Sequence, residues 1–288
     1  MSGRLLVLGA TGAVGGAVVA RALDAGRQVV AVARDADALR ALRARHDDGP
    51  ALVTLDARVA SDADAAALAA RIAALPGAPP AVAVAAIRGS IERGRLLDAP
   101  ADFLRRRLDE DLLPHLFAAR HLLPLLAPQP RNGYVLVGGP GADYPWAGYG
   151  HHSIGAAALR MLARVLHDEA RTLPVRVQML TVDTPARTAA NARQACAQWP
   201  SDAAIAQYAL EMLDHPVLPA SPLVRFPVPP ARSGATLSDD IDTAGFVPCL
   251  PAARNAAAPA PRDLDHARAL LRDAVAAASL PSPQDLPR

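Results

Sequence analysis

The 288-residue sequence predicts an α/β fold, a doubly wound parallel sheet in three layers with a Pro-rich C-terminal arm and a terminal helix. Three observations predict it. A short apolar run, Leu5 to Leu8, leads into glycines at 9, 12 and 15 and then an apolar stretch from Ala13 to Leu23. Strand-like and helix-like stretches then alternate as far as about residue 180, without internal repeat. The hydrophobic content of 51% across this length is enough to fill one sizeable core. Strict alternation implies parallel strands joined by right-handed crossover helices on both faces, the Rossmann type.

In order, Leu5–Leu8 reads as a strand buried on both faces. The helix from Ala13 to Leu23 follows, then a strand from Gln28 to Ala33 and a helix from about Asp35 to Arg45. Ala51–Leu55 is the third strand, and Ser61 or Asp62 caps a helix reaching about Leu75. Ala81–Ala86 is the fourth strand. A long helix from about Ala101 to Leu126 is kinked or divided by Pro114 and Pro124, because proline lacks the helical N–H donor. Tyr134–Val137, a helix over Ser153–Arg171 and a strand over Val175–Leu180 complete the alternation. Composition shifts near His215, so residues 1–215 read as the main domain and 216–288 as the arm. Pro216 to Pro261 is too rich in proline for many hydrogen-bonded elements and reads as an extension packed on the domain or on a partner subunit. A helix from about Arg262 to Ala278 follows, then a Pro-rich tail.

The first turn carries the chemistry. Gly9 allows a sharp turn after the strand, Gly12 removes a Cβ where a pyrophosphate would approach, and Gly15 lets the helix sit close to the sheet. The free N–H groups and dipole of that helix suit phosphate oxygens. The formal net charge of +2 gives no large sequence-independent affinity for nucleic acid. Arg105-Arg106-Arg107 lies among acids and reads as a solvated helix face. Cys196 and Cys249 are too few for a disulfide framework and have no metal-ligand spacing. No apolar run approaches a membrane span and the chain opens on a strand, so a soluble, cytoplasmic protein is expected. All 30 basic residues are arginine, which excludes any mechanism needing a lysine ammonium.

The order of elements over residues 4 to 190 and the motif Gly9-Ala10-Thr11-Gly12-Ala13-Val14-Gly15 resemble the short-chain dehydrogenase/reductase superfamily. The resemblance implies NADP(H) on Gly9, Ala10, Thr11, Gly12, Val14 and Gly15. Arg34, after the second strand, stands where NADP-preferring members place an arginine on the 2′-phosphate, and a guanidinium fork suits a phosphate. Asp56 resembles the acid that faces the adenine, and Ala85 opens the segment where the family carries Asn-Asn-Ala-Gly. Asp111 stands at the family's helix asparagine. Related enzymes also pair their two long helices in an oligomer interface, so a homodimer or tetramer is expected.

The resemblance fails at the family's proton-relay residues. No serine follows the fifth strand, where the chain reads Val137-Gly138-Gly139-Pro140-Gly141. The Tyr-x-x-x-Lys pair is replaced by His152 and Ala156, or by Tyr149 and Ser153 in a shifted register. A phenol with a pKa of about 10 needs a neighbouring cation to donate at neutral pH, and neither register supplies one. Candidate substitutes are His152 as donor, Tyr149 as a second donor and Asp111 as the group orienting His152. Arg88, leaving the fourth strand, either holds an acidic substrate or a cofactor phosphate or is a surface residue. Tyr144, Trp146 and Tyr149 line a pocket or pack their own loop. Three functions follow: an atypical NADP(H)-dependent oxidoreductase acting on an unknown small molecule; a non-catalytic NADP(H)-binding sensor or scaffold; or non-redox chemistry in the same pocket, since a fold does not fix function.

Overall fold

A computed structural model of the chain describes residues 3–46, 49–146, 148–215 and 221–227. Seven strands form one parallel sheet: β1 Arg4–Leu8, β2 Val29–Ala33, β3 Leu52–Asp56, β4 Pro80–Ala85, β5 Gly133–Gly138, β6 Val177–Thr181 and β7 Leu223–Arg225. Their order is β3-β2-β1-β4-β5-β6-β7. The chain reverses direction across the sheet between β1 and β4, the switch point where ligands bind in such folds.

Alternate residues of each strand feed opposite cores. Leu5, Val7, Val29, Ala31 and Val84 face α1 (Ala13–Asp24), α2 (Ala36–Ala44) and α7 (Asp202–Asp214). Leu6, Leu8, Val30, Val32, Ala83 and Leu136 face α3 (Asp62–Ala73), α5 (Leu113–Leu126) and α6 (Gly150–Glu169). Three layers result, as expected. Caps fix the helix starts: Asp35 accepts from the N–H groups of Asp37 and Ala38, Ser61 Oγ from Asp64 at 3.1 Å, and Ser201 Oγ from Ala204 at 3.1 Å. Ser61, not Asp62, is therefore the cap of α3.

The long helix is divided at Leu112 into α4 (Phe103–Asp111) and α5, with Pro114 in the first turn of α5 where its missing N–H costs nothing. Pro124 sits inside α5 near its end without dividing it. Helix α6 starts at Gly150, three residues earlier than expected, and residues 170–172 form a 3-10 turn.

Three corrections concern the second half and the arginine run. Helix α7 was not anticipated; it packs against α1 and β5, with Ile205, Ala206, Ala209 and Leu210 in the core on that face of the sheet. Residues 221–227, expected as part of an extension packed on the domain or on a partner subunit, include a strand: β7 pairs in parallel with β6 (Met179 with Leu223, Thr181 with Arg225), carrying the sheet past residue 215. Phe226 is buried against Tyr208 with ring centroids 5.6 Å apart. The predicted helix over 262–278 and the tail lie outside the described residues. Arg107 is not a solvated residue: it is 8% exposed, bonds Ser90 and Glu110, and pairs with Glu92. It also lies over the Phe103 ring, 5.2 Å from its centroid. Arg105 and Arg106 are exposed.

Candidate functional site

Two cavities follow one another along the carboxyl edge of β1, β2, β4 and β5. The first, about 250 Å³, runs from Gly9, Thr11 and Gly12 to Arg34 and Arg58. The second, about 440 Å³, runs from Gly12, Val14 and Gly15 to Asp111, His152 and Ala156. Both are lined by Gly12, Ala86, Ile87 and Arg88, so a single elongated ligand can lie across them.

The glycine turn has the predicted geometry. Gly9 has φ +76, and a Cβ there would meet the Ala86 carbonyl oxygen at 2.3 Å. A Cβ on Gly15 would lie 2.1 Å from the Gly9 carbonyl oxygen, so only glycine lets α1 approach the turn this closely. Thr11 and Val14 line the cavities, whereas Ala10 is wholly buried behind the turn. Arg34 reaches the first cavity, and Arg58 borders the same end. Arg58 was missed because nothing in its spacing distinguishes it from a loop arginine.

Two expected contact residues stand elsewhere. Asp56 is absent from the cavity wall; its carboxylate pairs with Arg71 at 3.3 Å. Ala85 is wholly buried in the last position of β4, and the wall begins at Ala86.

The two candidate registers on α6 differ in which residues face the second cavity. His152 and Ala156, four apart and so on one helix face, both line it. Tyr149 does not; its ring stacks on Trp146 at 4.6 Å, and Trp146 forms part of the wall. Ser153 Oγ is turned inward and accepts from the Trp146 N–H at 2.8 Å. Tyr144 is 75% exposed and lines neither cavity.

His152 has a partner that its sequence position did not reveal. Arg88, 64 residues away, places Nη2 3.1 Å from His152 Nε2. A guanidinium only donates, so Nε2 accepts and the ring proton is on Nδ1. Burial first, then the positive charge of Arg88 and the neighbouring His151, push the His152 pKa down to about 4. His152 is therefore a neutral imidazole at neutral pH and no standing acid. Asp111 does not orient it: Asp111 Oδ1 accepts from the Gly89 N–H at 2.6 Å. Burial raises the Asp111 pKa, against the Gly89 hydrogen bond and the charges of Arg88 and Arg107. Arg88 itself is exposed; the protein packed beside it pulls its pKa down, while the charge of Asp111 acts in the opposite direction.

Thr184, on the wall of the second cavity, carries a buried Oγ1 with no hydrogen-bond partner. Buried hydroxyls are rarely left so, which makes it a group available to a ligand. Among the described residues no group of three or more His, Cys, Asp and Glu could hold a metal, and no helix is long and apolar enough to cross a membrane.

The family model described as short chain dehydrogenase matches residues 4–197. No curated protein matches the chain. Among solved structures it is similar to a short-chain dehydrogenase/reductase family oxidoreductase from Burkholderia thailandensis, at 23% identity over 79% of this chain and 91% of that one, TM-score 0.67. A short-chain type dehydrogenase/reductase from Mycobacterium ulcerans aligns at 18% identity over 78% and 89%, TM-score 0.69. A short chain dehydrogenase from Burkholderia cenocepacia J2315, in complex with NADP, aligns at 18% identity over 79% and 89%, TM-score 0.65. The glycine turn, the strand order and the reach of the family match, from β1 to beyond β6, lead to one conclusion: the chain belongs to the short-chain dehydrogenase family.

Proposed function

We propose that the chain is an NADP(H)-dependent oxidoreductase whose substrate needs little help with protonation. The observation that carries this reading is the continuity of the two cavities through Gly12 and Arg88, with Arg34 and Arg58 at one end and His152 at the other. The residues fit the cofactor: a turn too tight for any Cβ at Gly9 and Gly15, two guanidinium groups for a 2′-phosphate, and an orphaned Thr184 hydroxyl at the far wall. The relative from B. cenocepacia, solved with NADP, supports the same choice. When bound, the reduced nicotinamide supplies a hydride. This chain's own groups then bind and orient the acceptor, since neutral His152 has its Nε2 occupied by Arg88 and Ala156 offers no cation. An imine or an activated double bond suits such a site better than a simple ketone.

The same neutrality of His152 favours a second reading, a non-catalytic NADP(H) sensor or scaffold. We also propose a homo-oligomer through α5 and α6, which expose Leu116, Ile154, Met161 and Val165.

The test is a fluorescence titration of wild type and Arg34→Ala with NADPH and NADH. NADPH binding that weakens in the variant by roughly 10- to 100-fold, with NADH little changed, supports the cofactor assignment. Failure of wild type to bind either nucleotide overturns it. Turnover of imine or enone substrates, followed by loss of NADPH absorbance, then separates enzyme from sensor.

A further inference from the structure

The second cavity holds two opposite charges that do not satisfy each other. Arg88 and Asp111 both line it and influence each other electrostatically, yet among the described residues Arg88 has no carboxylate within 4 Å. Its hydrogen bond goes to the neutral His152 ring, which fixes the guanidinium and spends one of its five N–H donors. Asp111 is held by the Gly89 N–H through one oxygen, at 2.6 Å. The wall also carries apolar Val137, Ala156 and Leu159 and the polar Thr184, Thr188 and Asn191. Arg88 stands exposed at this cavity with N–H donors beyond the one given to His152, and the half-buried Asp111 keeps a second carboxylate oxygen beyond the one given to Gly89, so each can take a partner of opposite charge. A ligand with one charge completes one and leaves the other. A small zwitterion completes both.

We propose that the second cavity binds a small α-amino or α-imino acid, its carboxylate on Arg88 and its cationic nitrogen at Asp111. The inference rests on the oxidoreductase reading and names its substrate class. It also explains how the site works without an acid. In an α-imino acid bound as its iminium, the nitrogen already carries the proton. A hydride from NADPH adds to the imine carbon, the C=N π pair moves onto nitrogen, and the products are the amine and NADP⁺. No side chain need give up a proton, which agrees with a neutral histidine and an alanine at positions 152 and 156.

The experiment measures binding of matched probes to the full-length protein by calorimetry and ligand-observed NMR, with and without NADP⁺. The large set is phenylalanine, 3-phenylpropanoate and 2-phenylethylamine; the small set is alanine, propanoate and ethylamine. The zwitterion is expected to bind roughly 10- to 100-fold more tightly than either singly charged analogue in at least one set, the effect of one added charge-assisted hydrogen bond. Arg88→Met should erase the advantage over the amine, and Asp111→Asn the advantage over the acid. Equal binding of the three probes of both sets to wild type overturns the proposal, whatever the variants do. Persistence of both advantages in both variants also overturns it, as does an advantage that vanishes once NADP⁺ is bound, which would give Arg88 to the cofactor. NADPH titration of the same samples keeps the two readings apart. Cofactor binding without zwitterion preference sinks only this inference. Zwitterion preference without cofactor binding sinks only the cofactor assignment.

Discussion

A single methyl group can separate the fold from the ligand at the glycine turn. Gly12 has φ −73 and ψ 165, a conformation alanine adopts freely. A Cβ added there meets only the Gly9 carbonyl oxygen, at 3.3 Å, and otherwise enters the space where the two cavities join. The protein itself need yield by only a few tenths of an ångström, and losing glycine at this cap costs about 1 kcal/mol or less. The dinucleotide has less freedom. Its phosphates must lie against the N–H groups of this turn, and an added methyl there costs roughly 1–3 kcal/mol by overpacking, about a 5- to 150-fold loss of affinity. Gly15→Ala is the contrasting control. Its methyl would sit 2.1 Å from the Gly9 carbonyl oxygen, so α1 must retreat by about 1 Å, at a cost to folding of 1–3 kcal/mol or more. The assay pairs NADPH fluorescence titration with urea unfolding for wild type and both variants. Gly12→Ala should keep its stability and lose NADPH; Gly15→Ala should lose stability as well. If Gly12→Ala binds NADPH as tightly as wild type, the phosphates do not lie on this turn and the assignment of the cavities fails.

Three other perturbations have defined outcomes. The folded pKa of His152, about 4, lies below its ordinary value of 6.5, so its stabilising contribution is complete above pH 6.5 and is lost as pH falls from there through 4. His115, wholly buried with its Nε2 bound to the Ile87 carbonyl and likewise pushed down to about 4, adds to the same window. Urea unfolding should show stability falling by up to about 1.4 kcal/mol per pH unit per histidine, and His152→Phe should reduce the slope; an unchanged slope refutes the shift. Arg27 is 5% exposed in its side chain and pairs with Asp214 at 3.1 Å, so Asp214→Ala should cost roughly 3–5 kcal/mol by stranding a buried charge, and Arg27→Met less. The reverse order in a chemical-denaturation series would show that the pair is not what holds β2 to the end of α7. Met161→Glu on the exposed stripe of α6 should convert the proposed oligomer to monomer in light scattering, and an unchanged mass would place the interface elsewhere.

The first half of the fold was legible because its signals are local. An apolar strand, three glycines and a capped amphipathic helix each lie within a dozen residues, and the structure reproduces them with small changes of boundary. Helix α7 was equally legible in principle: Ser201 caps it, and Ile205, Ala209, Met212 and Leu213 recur at helical spacing. Strand β7 was not, since its three residues, in a four-residue run between Pro222 and Pro227, carry no period and only pairing with β6 makes them a strand. The site divides along the same line. The Gly9–Gly15 turn follows from spacing, while Arg34 and the His152–Ala156 register came from the family resemblance. The Arg88–His152 contact joins two loops' worth of distant sequence, so no window contains it. Asp111, expected to orient His152, lines the same cavity but accepts from the Gly89 N–H instead, a contact that depends on how the chain leaves β4 and that no local window shows.

The seventh strand changes where this protein can safely be cut. The compositional break near His215 invites an expression boundary there, and a fragment ending at that point would retain the glycine turn and every residue that lines the two cavities. It would also strip the partner from β6, leaving its outer N–H and C=O groups open beside Tyr208, which would lose Phe226. An unpaired edge of that kind is a template for strand addition between copies. Such a fragment should be recovered as soluble aggregate or inclusion bodies, while one ending after Pro227 keeps β6 covered and leaves only the three-residue β7 as the edge, a strand short enough to be a poor template; the terminus chosen for crystallisation matters more here than the linker composition suggests.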